Sequence, residues 1–326
     1  MNLVFRMHFS HQHLSDSYDR PTGVIHGVLN TIHNLRESVS KKLVVVWDHG
    51  IPVLNAAKPH NWRESFLDGY KATRIHNNEE WPKIVSQLKP LHDAINMLGY
   101  SNRAVMGLEA DDTIGILAHE IPGDILILST DKDFYQLLSN RVSILAPKKS
   151  GGKFLTITQS GVEKEFGIPI QLWSRYLALG GDKSDNIKPM KGMGPKTALK
   201  LVKAGVSPYL EWEDQPEDFR AKNEKYKPVW RAIQRSYMAA DLPHTRKDFR
   251  FAGASLDFSS LDGSATQGWL DKQLSKHNFE KFCAVYGLNS LLSLSGSFFT
   301  GEQPCPALRN VIPTPLPVSK MRTPLV

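Results

Sequence analysis

The chain has 326 residues, 41% of them hydrophobic and 22% charged, the balance of an ordinary globular protein rather than a disordered or fibrous one. Its 40 Lys and Arg against 33 Asp and Glu give a formal charge of +7, a sign that suits a polyanionic partner. Two cysteines, Cys283 and Cys305, allow one disulfide at most and no zinc site; no apolar run approaches the roughly 18 residues of a membrane span. The opening MNLVFRMHFSHQ lacks the apolar core of a signal peptide, so the expectation is a cytoplasmic monomer with no membrane partner.

The first region, residues 1–160, alternates helix and strand signals. Ile25, Val28, Leu29, Ile32 and Leu35 share one helix face. Leu43 to Trp47 (LVVVW) is an unbroken apolar run that predicts a buried parallel strand ending at Asp48. Trp81, Ile84, Val85, Leu88, Leu91, Ile95 and Leu98 predict a second amphipathic helix, and Ala110 to His119 a third. Ile125 to Leu128 (ILIL) and Val142 to Leu145 predict further strands. This alternation implies an α/β domain with a mostly parallel central sheet and flanking helices. Residues 161–292 read as helical, with candidates at Val162 to Phe166, Pro169 to Leu179, Pro195 to Val202, Pro228 to Met238 and Lys276 to Tyr286. The Pro- and Ser-rich tail, residues 293–326, reads as disordered.

Ligands of open α/β sheets bind beyond the carboxyl ends of the strands, and acidic residues collect there. Asp48 follows LVVVW, Asp131 and Asp133 follow ILILST, and "GLEADDTIG" puts Glu109, Asp111 and Asp112 at a helix start. Asp182 and Asp185 lie in "LGGDKSDNIKPMKGMGPKTALKLVKAG". Each cluster alone has an ordinary explanation as a cap, a turn or a dipole partner. Together they would repel one another unless cations neutralise them. Oxygen ligands without His or Cys suit Mg²⁺, or Mn²⁺ in its place. Two such ions roughly 4 Å apart suit in-line hydrolysis of a phosphodiester.

The window from Lys183 to Lys203 holds six lysines and one aspartate, a net of +5 that leaves +2 for the rest of the chain. Gly192 and Gly194 allow a tight turn, and Pro195 fits the first turn of a helix. A phosphate would then sit at the helix N-terminus beside Lys196, Thr197 and Lys200. Nothing there reads a base, so backbone binding without sequence preference is expected. The G-x-x-x-x-G-K-[ST] spacing of a nucleotide-hydrolase loop is absent.

"GLEADDTIG", "STDKDFYQLL" and "LGGDKSDNIKPMKGMGPKTALKLV", in that order, resemble the 5′-nuclease family: flap endonucleases, phage 5′→3′ exonucleases and the 5′-nuclease domain of bacterial DNA polymerases. The resemblance implies a PIN-like α/β core and Mg²⁺-dependent cleavage of DNA or RNA–DNA primers near a free 5′ end or flap. It makes Asp48 a ligand of the first metal, Glu109, Asp111 and Asp112 the acidic helix cluster, Asp131 and Asp133 ligands between the two metals, and Asp182 and Asp185 ligands of the second. "WRESFLDGYKATR" resembles the start of a helical arch, about residues 55–98, whose Tyr70, Lys71 and Arg74 clamp and stack the 5′ strand. Residues 186–204 resemble a helix–hairpin–helix that grips the duplex backbone, with K⁺ as a further ion. Asn2 to Arg6 resembles the segment just after the family's first strand, leaving Arg6 to meet a phosphate, while the strand's Asp would precede Met1. The intact downstream set makes the expectation a stand-alone phage or bacterial enzyme whose true start lies upstream of Met1, with the first strand and one ligand outside this sequence; the alternative is a protein that lacks that ligand, catalytically impaired, that binds flaps or 5′ ends.

Overall fold

The structure is a computed structural model that describes residues 2–39, 43–48, 61–65, 67–72, 79–147, 154–183, 185–187, 189, 192–242, 276–288 and 290–292. Arg74, parts of the expected arch and the tail 293–326 lie outside the described residues.

Helix α1 (Asn2–Ser10) buries Val4 and His8, one turn apart, and α2 (Gly23–Ser38) buries the Ile25, Val28, Leu29, Ile32, Leu35 face that the spacing predicts. Strand β1 (Val44–Val46) is followed by α3 (Glu80–Met97), which buries Ile84, Leu88, Leu91 and Ile95. Strand β2 (Ser101–Arg103) pairs in parallel with β1, Val45 opposite Asn102. Helix α4 (Ala110–Glu120) leads into β3 (Ile125–Leu128), which pairs in parallel with β4 (Val142–Pro147); β5 (Phe154–Ile157) closes that sheet antiparallel to β4. The fold is α/β with mostly parallel pairing, as the alternation implies, although among the described residues the strands form a two-stranded and a three-stranded sheet.

Helices α5 (Gln159–Phe166), α6 (Trp173–Gly180), α7 (Pro195–Lys203), α8 (Glu217–Asn223) and α9 (Trp230–Ala240) follow, then α10 (Lys276–Val285). The expected Pro169 start of α6 is a 3₁₀ turn at Ile170–Leu172, and that of α9 a 3₁₀ turn at Glu224–Val229. Pro228 has no N–H to extend a helical ladder inward, so the α-helix begins just after it.

Two cores divide the molecule differently from a boundary at residue 160. One joins α1, α2, α3 and Trp47 to Phe279, Phe282 and Cys283 of α10. The other joins Ile127, Val142 and Ile144 of the three-stranded sheet to Trp173, Ala198, Val202 and Trp230 of the C-terminal helices. Helix α4 lies between, with Ala118 in the second core and Ile116 and Leu117 in a small third one.

Candidate active site: carboxylates pinned by a buried arginine and a half-buried lysine

The start of α4 organises the site. Glu109 is the N-cap, and its backbone N–H donates to Asp112 Oδ2 at 3.1 Å. The next N–H, of Ala110, donates to Asp48 Oδ1 at 2.8 Å. The carboxylate that ends β1 is thereby docked on the positive end of α4. Burial works against its charge, but the Ala110 amide and nearby positive charge, Lys71 included, hold Asp48 below the usual carboxylate range.

Asp112 lies deeper, with 0% of its surface exposed. Arg63 Nη1 and Nη2 donate to its two oxygens at 2.7 and 2.6 Å, a bidentate fork, and Trp62 Nε1 donates to Oδ2 at 2.9 Å. Arg63 is itself 1% exposed. Its Nη1 also reaches Glu109 Oε2 at 3.3 Å, and its Nε donates to the Ala239 carbonyl, at the end of α9, at 2.9 Å. A cation at a helix C-terminus answers carbonyls that have no partner within the helix. Arg63 is the functional residue that sequence reasoning missed. It stands inside the quoted WRESFLDGYKATR, where an arginine beside glutamate reads as surface charge; no local signal marks it as buried.

Tyr70 and Lys71 join the acidic segments. The Tyr70 hydroxyl stands 2.7 Å from Glu109 Oε2 and 3.1 Å from Asp185 Oδ2, and its single proton serves both oxygens. Lys71 Nζ forms a short ion pair with Glu109 Oε1 and lies 3.7 Å from Asp185 Oδ1. The backbone N–H of Lys71 donates to the Asp185 carbonyl at 3.2 Å, and Asn186 Nδ2 to the Gly69 carbonyl at 2.8 Å. Gly69, Lys71 and Asn186 all adopt positive φ, at 73°, 55° and 58°; the glycine takes it at no steric cost, the other two do so at the contact between the turns. Tyr70, expected to stack on the 5′ strand, is only 6% exposed in this structure, and its hydroxyl faces the carboxylates. Burial and the surrounding carboxylates push its pKa well up. Glu109 moves the other way, since Lys71, Arg63 and Tyr70 together outweigh its burial.

The remaining carboxylates are less compensated. Asp131 begins the 3₁₀ turn Lys132–Leu137; its Oδ1 accepts the Asp133 N–H at 3.1 Å, while its own N–H donates to Ser129 Oγ at 3.0 Å. Asp133 is pushed up to about 8, first by burial and then by Asp131, Asp182 and Asp185. Asp182 and Ile187 exchange backbone hydrogen bonds of 2.9 and 2.8 Å, which fixes the loop 182–187. Asp111 is also raised, by burial and by Asp112 and Glu109, although Arg63 pulls against them.

All eight expected carboxylates thus belong to one connected electrostatic network with Arg63 and Lys71. Among the described residues no three acidic or His side chains converge closely enough to hold an ion together. The donor chemistry still fits a divalent cation: carboxylate oxygens only, with Asp133 and Asp111 pushed upward by burial and by their carboxylate neighbours. Asp112 differs from the others, since Arg63, Trp62 and the Glu109 amide already occupy its oxygens. Arg6 stands on α1, half-buried and without an ion pair among the described residues. The start of that helix reaches the site through Thr130 Oγ1 and Asn2 Oδ1, 3.3 Å apart.

Beside the cluster, Gly194 is the N-cap of α7 and Pro195 its first residue. Gly192 has φ +82° and open space around it, as has Gly194. Ala198 and Val202 face the core, while Lys196, Thr197, Lys200 and Lys203 face solvent.

Residues 1–167 match the model of the 5′-3′ exonuclease N-terminal resolvase-like domain, and the chain belongs to that family. The 5′-3′ exonuclease of Buchnera aphidicola subsp. Schizaphis graminum is 31% identical over 205 residues, 61% of this chain and 66% of that protein. The thermostable DNA polymerase I of Thermus filiformis is 30% identical over 255 residues, 76% of this chain and 28% of the polymerase. The chain therefore spans little more than a quarter of such polymerases. In fold it is similar to the T5 D15 protein, crystallized with metal ions (TM-score 0.58, 18% identity, 87% of this chain and 96% of that one). It is likewise similar to flap endonuclease-1 from Methanococcus jannaschii (TM-score 0.53, 13% identity, 92% and 89%).

Proposed function

We propose that the protein is a structure-specific 5′-nuclease that hydrolyses phosphodiester bonds in DNA, or in RNA–DNA primers, at a free 5′ end or flap. The observation that carries this reading is that four separate segments bring Asp48, Glu109, Asp111, Asp131, Asp133, Asp182 and Asp185 into one electrostatic neighbourhood with Lys71 and Arg63, although among the described residues no three of them close on a single point. A pure binding surface for a polyanion gains nothing from such a concentration of negative charge. Divalent cations, Mg²⁺ or Mn²⁺ and two in number, would supply Lewis-acid activation of water and neutralise the phosphate. Those seven carboxylates would hold them. Asp112 serves as the anchor that fixes α4 through Arg63, and Lys71, paired with Glu109 in this structure, would be placed to donate to a phosphate oxygen. Lys196, Thr197 and Lys200 hold the duplex backbone at the N-terminus of α7, where K⁺ could add a further contact.

The test is a 5′-labelled flap substrate incubated with Mg²⁺, with a chelator control. Wild-type protein should release the flap, and Asp131→Ala should still bind the substrate while losing cleavage. Cleavage by Asp131→Ala at the wild-type rate would refute the assignment of that carboxylate. Tight binding without metal-dependent cleavage by the wild type would instead favour the impaired, flap-binding protein.

A further inference from the structure

Helix α9 carries a surface that the acidic site and α7 do not account for. Eleven large hydrophobic side chains are exposed among the described residues, and four of them, Tyr209, Leu210, Val229 and Met238, lie on α9 or beside it in sequence and packing. Tyr209 is the most open of these, at 66%. The turn that bears it is fixed on α9: Trp230 Nε1 donates to the Leu210 carbonyl at 2.9 Å, Gln234 Nε2 reaches the same carbonyl at 3.3 Å, and the Tyr209 ring meets the Tyr237 ring edge-on at 6.2 Å. Along the adjoining line of the helix, Arg231, Arg235 and Met238 recur at i, i+4 and i+7 and all face solvent. Arg175 of α6 stands close to Tyr237. None of these three arginines forms an ion pair among the described residues.

The C-terminal end of α9 abuts the candidate active site. Its Ala239 carbonyl accepts from Arg63, and its Ala240 carbonyl accepts from Gln136 Nε2 at 3.1 Å, on the same 3₁₀ turn as Asp133. Eleven residues of α-helix extend about 16 Å outward from that point.

We propose that this face of α9 is a track for unpaired nucleotides, in which a base stacks on Tyr209 and the phosphates follow Arg231 and Arg235 away from the carboxylates. An exposed ring held by a second ring offers a base a rigid platform, and stacking of this kind tolerates any sequence. A duplex keeps its base faces covered and cannot use Tyr209 in this way, whereas an unpaired strand can. The track rests on the nuclease reading above and adds to it the kind of strand that this face takes.

The test measures fluorescence anisotropy in chelator with two probes: a duplex bearing an unpaired dT tail, and the same duplex with blunt ends. Tyr209→Ala should weaken tailed-duplex binding at least about fivefold, the low end of base-stacking losses, and leave the blunt duplex unchanged. Tyr209→Trp should retain tail binding. Arg231→Gln with Arg235→Gln should lower the salt dependence of tail binding by about 0.7 in log–log slope for each phosphate no longer held. Unchanged tail affinity in both variants overturns the track, as does an equal loss on blunt duplex, which would mark a general backbone contact. Flap cleavage by the wild type is scored separately. A wild type that cuts while the variants bind tails normally refutes only the track, and a wild type that neither cuts nor binds DNA refutes both readings.

Discussion

Replacing Arg63 with Met should be among the costliest single changes in the protein. Arg63 is 1% exposed and Asp112 0%, so the substitution strands a carboxylate that water cannot reach. Breaking a buried pair on one side typically costs about 3–5 kcal/mol. Trp62 and the Glu109 amide still donate to Asp112, which softens the loss. The Ala239 carbonyl loses its donor, which adds about 1 kcal/mol. The sum stays near 3–5 kcal/mol. Asp112→Leu, which strands the arginine instead, should cost a similar amount. The double variant Arg63→Met with Asp112→Leu removes both charges and fills the space with apolar groups. The Ala239 carbonyl and the N–H groups of Trp62 and Glu109 then stay unreplaced, a cost of about 2–4 kcal/mol. Urea unfolding at pH 7 in chelator measures all three midpoints at a common slope. Near-additivity in the double variant, or a loss below about 1 kcal/mol in Arg63→Met, would refute the reasoning that the fork neutralises a charge closed off from solvent.

Tyr70→Phe removes the hydroxyl shared by Glu109 and Asp185 and should lower stability by about 1.5–3 kcal/mol, the range for hydrogen bonds to charged groups; an unchanged melting temperature would argue against the bridge. The raised Asp133 sets a pH dependence with a definite sign. The folded protein keeps this proton up to about pH 8, while the unfolded chain loses it near the ordinary aspartate value of 3.8, so folding binds protons in between. The metal-free protein should therefore lose stability as pH rises across that window, and melting in chelator at about pH 5.5 and about pH 8 checks it. In the same window divalent-ion affinity should rise by up to about tenfold per pH unit and level off above about pH 8, as Mn²⁺ titrations would register. Phe279→Ala, in the α10 contribution to the first core, should cost about 3–5 kcal/mol; a loss under about 1 kcal/mol would mean that α10 is not needed there.

Local signals carried much of the fold. The ILIL run of β3 and the 3–4 spacing of α2 and α3 appear in the structure as the sequence predicts them, because burial of one face decides both. Strand β2, Ser-Asn-Arg, has no apolar pattern at all and exists because β1 offers it a partner. The packing of Phe279 and Cys283 with α2 and α3 is another such case: it joins distant segments and leaves no mark on nearby residues. The eight carboxylates were legible as residue types at strand ends and helix starts. Which of them are already engaged was not, since the fork on Asp112 depends on Arg63, 49 positions away. Tyr70 shows the same limit, because a tyrosine next to a lysine reads equally as an exposed ring or as a buried hydroxyl.

The return of α10 to the first core has a consequence for synthesis. A ribosome producing this chain releases α1, α2, α3 and β1 early, but the apolar face they share is not covered until Phe279, Phe282 and Cys283 have emerged. The turn with Asp133, the loop with Asp185 and the Ala239 carbonyl that receives Arg63 are all made before that last covering helix. The candidate site, drawn from both cores, is thereby incomplete in the growing chain until nearly all of these segments exist.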